Sequence, residues 1–291
     1  MAQSQPDFST FYADERAQIG EEGLYRILDA GRVWSLGPTL RAGGAVVFPH
    51  ANMSICGHQI AAAVHACLDS GAERVLAIGC LHAATTDLDD ARKRVAAGGD
   101  PAVEEAWGIQ GPGMEGRREW RDEFSLGHFC ALWELETRKR GIVGPELVIR
   151  YPYLAGGHPE RLPGIDGLVE IVQNAVVVAT MDPFHHGIGY GDLPERALSP
   201  EASGLDLARQ RIEEGLELLR AGDHWGYNQH CVEAKSDARD VGQVLRYLLG
   251  PLQGQILDLV ACDTTASYGQ PPPTWVANAL IELVPTTLTT S

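Results

Sequence analysis

Apolar residues along this chain gather in short blocks, with longer stretches of helical character between them. Ala45-Val46-Val47-Phe48 is a continuous apolar run of strand type, and Pro49 stops it because proline has no N–H for a sheet ladder. A second run spans 73–79 and a third 175–180, both rich in Val, Leu, Ile and Ala. Further strands are predicted at 145–150, 256–261 and 275–283. Helices are predicted at 57–70, 88–97, 120–140, 164–173, 203–220 and 236–249, with a helix and a connection over 14–36. Ser203 is placed to cap the helix it opens, and Gly250-Pro251 is a stop signal. Strands alternating with helices predict an α/β fold: a three-layer sandwich whose central sheet, mostly parallel or mixed, carries helices on both faces. No long polar linker divides the chain, so residues 1–291 read as a single domain. The Gly/Pro-rich stretch 98–116 reads as a long loop, a candidate lid or rim.

The three apolar runs share a second property. Each delivers a histidine just past its end: His50 after the first, His82 after the second, and His185 with His186 after the third. In an open α/β sheet the edge beyond the strand ends is where ligands bind, so three histidines there suggest one site. Neutral imidazole suits Fe, Cu, Zn and Ni, and a catalytic ion takes three protein ligands and keeps positions open. His50 and His82 supply two. For the third, the segment 230–233 offers either Cys231, which gives a soft His₂Cys site, or Glu233, which gives the two-His-one-carboxylate face of non-haem iron(II) oxygenases. Spacing does not choose between them.

Composition narrows the partners. Lys plus Arg number 23 against 39 Asp plus Glu, a net charge of −16, which argues against nucleic acid or an anionic membrane as the main partner. No apolar stretch has transmembrane length, and the first residues have neither the basic start nor the apolar core of a signal peptide. The six cysteines contain no CxxC, as expected for a reduced, cytoplasmic protein in which most thiols are small buried apolar groups. No GxxxxGK[ST], no GxGxxG between strand and helix and no GxSxG is present, so no nucleotide site or serine nucleophile is motivated. The sequence leaves the oligomeric state open.

Four segments, in order, resemble motifs of the Memo family, which includes protein B of the AmmeMemoRadiSam system. Pro49-His50-Ala51-Asn52-Met53-Ser54-Ile55-Cys56-Gly57 resembles its PHAGYxYxG motif, and Gly79-Cys80-Leu81-His82 its GPSH motif. Asp182-Pro183-Phe184-His185-His186-Gly187 is similar to SDFxHxG, and Tyr268-Gly269-Gln270 to YAQ. The resemblance implies a fold related to the class III extradiol ring-cleavage dioxygenases. It implies a metal held by His50, His82 and a cysteine best matched by Cys231; a glutamate fills that place in the dioxygenases, which keeps Glu233 in play. His185 falls on the conserved acid/base histidine. Asn52-Met53 replaces the family's Gly-Tyr, its EHSIE segment becomes Glu123-Phe124-Ser125-Leu126-Gly127, and its Cys-Gly-Arg-His-Pro becomes Cys231-Val232-Glu233-Ala234-Lys235.

The expectation is therefore an enzyme, a non-haem dioxygenase that uses Fe²⁺, with Cu or Zn as other candidate metals. It would combine O₂ with a small aromatic or other metal-chelating substrate, His185 moving the substrate's proton. Asn52, Tyr151, Tyr153, His186, Trp225 and Tyr268 are the candidate substrate-binding residues. The alternatives are a zinc-dependent hydrolase or lyase, and a non-enzymatic Memo-like metal-binding protein.

Overall fold

In the computed structural model, which describes residues 8–82, 85–116, 118–266 and 269–286, alternation along the central strands divides the interior in two. Val46 and Phe48 of strand β1 (Ala45–Phe48) face one apolar layer; Ala45 and Val47 face the other. The first layer is covered by helices α1 (Phe8–Ala30), α3 (Met53–Asp69), α4 (Thr86–Ala96) and α5 (Gly127–Arg140), and it also contains residues of the short α2 (Gly37–Arg41). The second is covered by α6 (Ile165–Val172), α7 (Ala202–Ala221), α8 (His224–Glu233) and α9 (Arg239–Leu249). The result is the three-layer α/β sandwich expected from the pattern.

Among the described residues the sheet has eight strands. Strands β2 (Arg74–Ile78), β3 (Gly108–Gln110), β4 (Glu146–Tyr153), β5 (Val176–Thr180), β6 (Phe184–Gly187) and β8 (Thr274–Pro285) join β1 in the order β3-β4-β2-β5-β1-β8-β6, and β7 (Leu252–Asp263) pairs with β8. The four central strands β4, β2, β5 and β1 are mutually parallel, whereas β3, β6, β7 and β8 add antiparallel pairings, so the sheet is mixed. β1, β5 and β2 are neighbours. Their C-terminal ends therefore open side by side at one edge, next to the Pro49-His50, Met181-Asp182 and Cys80-Leu81-His82 segments.

Several expected elements need correction. The helix expected over 120–140 is instead a 3-10 turn at Glu119–Asp122, an extended Glu123, and α5 from Gly127. Residues 98–116 are not one structureless loop: they hold a 3-10 turn at Pro101–Val103 and strand β3, paired with β4. His185 and His186 lie within β6, held by pairing with Val276 and Trp275, rather than in an open loop. Asp223 to Cys231, between two predicted helices, is mostly α8. Ser203 does not cap α7, whose N-cap is Glu201 without a side-chain bond. Among the described residues no helix is long and apolar enough to cross a membrane.

Candidate metal centre

His50 follows Pro49 directly, so it begins the first turn beyond β1 with its backbone N–H free of the ladder. That N–H donates to Asp182 Oδ1 at 3.2 Å, tying the end of β1 to the end of the neighbouring β5. His82 stands two residues beyond Cys80 at the end of β2. Its N–H donates to Glu123 Oε2 at 2.6 Å, so a residue expected on a helix grips it from the extended segment before α5. The fourth contributor is Asp237, in the turn between α8 and α9. Lys235 makes that turn by adopting a left-handed φ of 54°, and Ser236 Oγ donates to the Asp182 carbonyl at 3.1 Å. A non-glycine residue held in that region marks a place where the surroundings override local preference.

Hydrogen bonding fixes how the three imidazoles point. Thr180 has one hydroxyl hydrogen and donates it to the Phe48 carbonyl at 3.0 Å. It therefore accepts from His50 Nδ1–H, 3.0 Å away, which leaves Nε2 as the atom that gains or loses a proton. His82 Nδ1 donates to Glu123 at 3.0 Å, and His185 Nδ1 donates to the Lys235 carbonyl at 2.6 Å, with the same consequence. His50 Nε2 lies 3.0 Å from Asp237 Oδ2 and 3.6 Å from Asp182 Oδ2, and His82 Nε2 lies 3.6 Å from Asp237 Oδ2. This is the arrangement in which a ligand imidazole is held by a partner on its other nitrogen.

Each aspartate divides its oxygens in the same way. Asp237 Oδ1 accepts from the Asp182 N–H at 2.8 Å and from the Cys80 thiol at 3.4 Å, while its buried Oδ2 accepts no well-aligned hydrogen bond. Asp182 Oδ1 accepts from the His50 N–H and from Asn278 Nδ2 at 3.1 Å, leaving Oδ2 toward His50. The ligand atoms of His50, His82 and Asp237 all lie within 4.8 Å of one another, as do those of Asp182, His185 and Asp237. Donors about 2.0–2.2 Å from one ion stand roughly 3–3.5 Å apart, close to the separations around Asp237 Oδ2. The residues present therefore fit a divalent metal.

The charges agree. Burial opposes the imidazolium of His50, but Asp182 and Asp237 outweigh it and hold its pKa above the ordinary 6.5. For His82, burial is likewise outweighed by Glu123 and Asp237, and its pKa is lifted to about 10. Burial works against the Asp237 carboxylate too, yet His50 and His82 keep it ionised well below the usual range. Burial wins at Asp182, which is raised despite His50. The carboxylates thus favour positive charge at the two imidazoles, where a cation would stand. The rim is aromatic: Phe124 stacks on His82 with ring centres 4.4 Å apart, and Tyr12 of α1 lies 5.5 Å beyond Phe124.

The remaining expected site residues fall elsewhere. Cys231 does not join the cluster: it is buried in the apolar layer of α7 to α9, where desolvation lifts its thiol to about 12 against the opposing effect of Tyr227. Glu233 is exposed at the last turn of α8. Asp237 takes the place expected of either. His186 has both ring nitrogens engaged, with Asp192 at 3.1 Å and the Leu198 N–H at 2.9 Å, so it braces the 188–198 segment. Tyr153 is fully buried and donates to the Leu88 carbonyl at 2.8 Å, and Trp225 lies on α8 against Gly157. Tyr151 is buried under Gly79, with its hydroxyl held above its ordinary pKa by burial and then by Glu123 and Cys80. Asn52 accepts from the Cys262 thiol at 3.1 Å. Tyr268 lies outside the described residues.

Asp182, Asp237 and the bracing role of Glu123 are what sequence reasoning missed. Asp182 sits in a motif already quoted. Asp237 gave no signal, because it falls in the first turn of the helix predicted over 236–249, where an acid is favoured by the helix N-terminus without any ligand. Compared with models of known protein families and with curated proteins, the chain matches none.

Proposed function

We propose that the protein is a non-haem metal-dependent dioxygenase acting on a small chelating molecule. One observation carries this: two imidazole Nε2 atoms and one bare carboxylate oxygen converge from His50, His82 and Asp237. Two histidines and a carboxylate, with other positions open, are the donor set of non-haem iron(II) oxygenases. The Memo-like motif resemblance belongs to the same proposal, with a carboxylate in the place of the family's cysteine. Iron(II) in this set supplies the one-electron chemistry that lets O₂ react with an organic molecule.

The chain's own groups do the rest. His185 Nε2 accepts the proton of a substrate hydroxyl, breaking that O–H bond, and returns it to the product later. The Lys235 carbonyl, 2.6 Å from Nδ1–H, keeps the ring in the tautomer that can do so and steadies the imidazolium. Phe124 and Tyr12 wall one side against water.

The test is to load metal-free protein with Fe²⁺ without air, then follow O₂ uptake with catechols and aminophenols. One iron per chain and O₂ consumption are expected. His185→Ala should keep the iron while turnover falls roughly 10²–10⁴-fold. Iron binding without O₂ uptake for any chelating phenol would reject the dioxygenase. A second reading, a zinc-dependent hydrolase or lyase, is favoured by Asp182, whose Oδ2 stands 3.6 Å from His50 Nε2 and which also groups with Asp237, where a carboxylate can take a proton from water. Zinc retained through purification, with no use of O₂, would select it.

A further inference from the structure

Two arginines near this centre make no close ion pair among the described residues, although the charge of Asp240 reaches both. Arg92, on α4, donates from Nη2 to the carbonyl of Leu81 at 2.7 Å, the residue before His82. Its guanidinium carbon lies 5.0 Å from the centre of the Tyr153 ring. Arg239 opens α9, two residues after Asp237. Each is therefore tied within two residues of a candidate metal ligand. The Nε–H of both is buried with no acceptor. Among the described residues neither guanidinium forms an ion pair within 4.0 Å. The nearby carboxylate, Asp240, already accepts the Ala155 N–H at 2.7 Å through Oδ1. The two guanidinium groups lie close enough for each to feel the other's charge.

In a chain of net charge −16, two neighbouring part-buried guanidinium groups with no carboxylate in ion-pair contact are conspicuous. A buried donor left unmet is costly. Arginine's planar fork suits carboxylate and phosphate oxygens. Asn228 adds to the set. It is fully buried on α8, the helix that packs on both α4 and α9, and neither its amide nitrogen nor its oxygen has a partner.

We propose that Arg92, Arg239 and Asn228 form an anion subsite beside the metal centre, so that the molecule acted on carries a carboxylate or phosphate besides its chelating end. This deepens the function proposed above and rests on it for its meaning, but its test does not require metal or turnover.

The full-length, metal-free protein is titrated with benzoate and, separately, with inorganic phosphate, using calorimetry at fixed ionic strength. Saturable binding of one anion per chain is expected, weakened at least tenfold in both Arg92→Gln and Arg239→Gln. Tighter benzoate identifies the group as a carboxylate, and tighter phosphate as a phosphate ester. Absence of saturable binding to either anion overturns the subsite, as does binding that both variants retain. Because a variant at these buried positions can misfold, the wild-type protein provides a second readout. Two arginine Nε–H resonances should shift as the anion saturates, and no shift overturns the proposal equally. If metal binding fails while the anion titration succeeds, the metal reading is wrong and the subsite stands; the converse pattern removes the subsite alone.

Discussion

Glu136 and Asp237 are both buried carboxylates with one oxygen left without a hydrogen bond, and their surroundings answer the charge in opposite ways. Glu136 Oε1 accepts from Arg32 at 2.5 Å and from Arg140 at 2.7 Å, and Arg140 also donates to His65 Nδ1 at 3.0 Å. Two permanent cations thus close the group within the chain. Burial lowers the pKa of His65, so its ring stays neutral more readily. Among the described residues no Lys or Arg forms an ion pair with Asp237; the facing groups are imidazoles and a second carboxylate. An unbonded oxygen is therefore not by itself the mark of a site. The mark is a carboxylate oxygen that no permanent cation meets, surrounded by donors whose other ends are already fixed.

The sharpest way to break this contrast is to remove the ligand oxygen while keeping its shape. Asp237→Asn should lose stoichiometric metal, a larger effect than the 10–100-fold that a supporting partner costs, as should alanine at His50 or His82. Cys231→Ser and Glu233→Ala should keep it. Metal content measured after dialysis decides, and full retention in Asp237→Asn would dissolve the proposed centre. The matching change at the closed network, Glu136→Ala, should leave metal content untouched but destabilise the fold by about 1–3 kcal/mol, because Arg32 and Arg140 lose a charged hydrogen bond while keeping Asp29 and Asp69. Denaturant unfolding reads this, and a drop in metal affinity there would show that the two regions are coupled. A smaller effect is expected at Glu123→Gln. Its carboxylate holds His82 through both the N–H and Nδ1–H, so metal affinity should fall roughly 10–100-fold while the site persists. Unchanged affinity would make Glu123 a packing residue only.

The contrast also explains what the sequence could reveal. Strands β1, β2, β4, β5, β7 and β8 follow from local hydrophobic runs, and His50, His82 and His185 follow from their place beyond three of them. Strands β3 and β6 do not, because Gly108-Ile109-Gln110 and Phe184-His185-His186-Gly187 form no apolar run and they exist through pairing with β4 and β8. Missing β6 also left His186 among the substrate-binding candidates, although neighbouring strand residues point to opposite faces and His186 turns to Asp192 and Leu198. Asp237 was illegible for a different reason. It reaches the histidines only because α8 and α9 fold back over the sheet edge, a contact some 150 residues distant from His82 in the chain. Cys231 and Glu233 are close to it in sequence, but helix α8 carries one into the core and the other into solvent.

The smallest expected effect is a slope of stability with pH. In the metal-free protein the folded state holds the His82 pKa near 10, above its ordinary 6.5, because Glu123 and Asp237 outweigh burial. A raised pKa means that the folded state binds the proton more tightly than the unfolded state does. This contribution is complete below pH 6.5 and disappears as pH climbs toward 10; His50, raised in the same direction, adds to it. Between pH 7 and 9.5 the metal-free melting temperature should therefore fall by several degrees, at about 2–4 °C per kcal/mol for a chain near this size. A bound metal takes the place of the proton on Nε2, so the loaded protein should show a flatter curve and a higher melting temperature throughout. General alkaline destabilisation of an acidic chain would move both curves together. His82→Gln separates the two causes, since it should flatten the metal-free curve alone. Parallel curves for metal-free, loaded and His82→Gln proteins would show that the imidazolium of His82 does not balance the buried carboxylates.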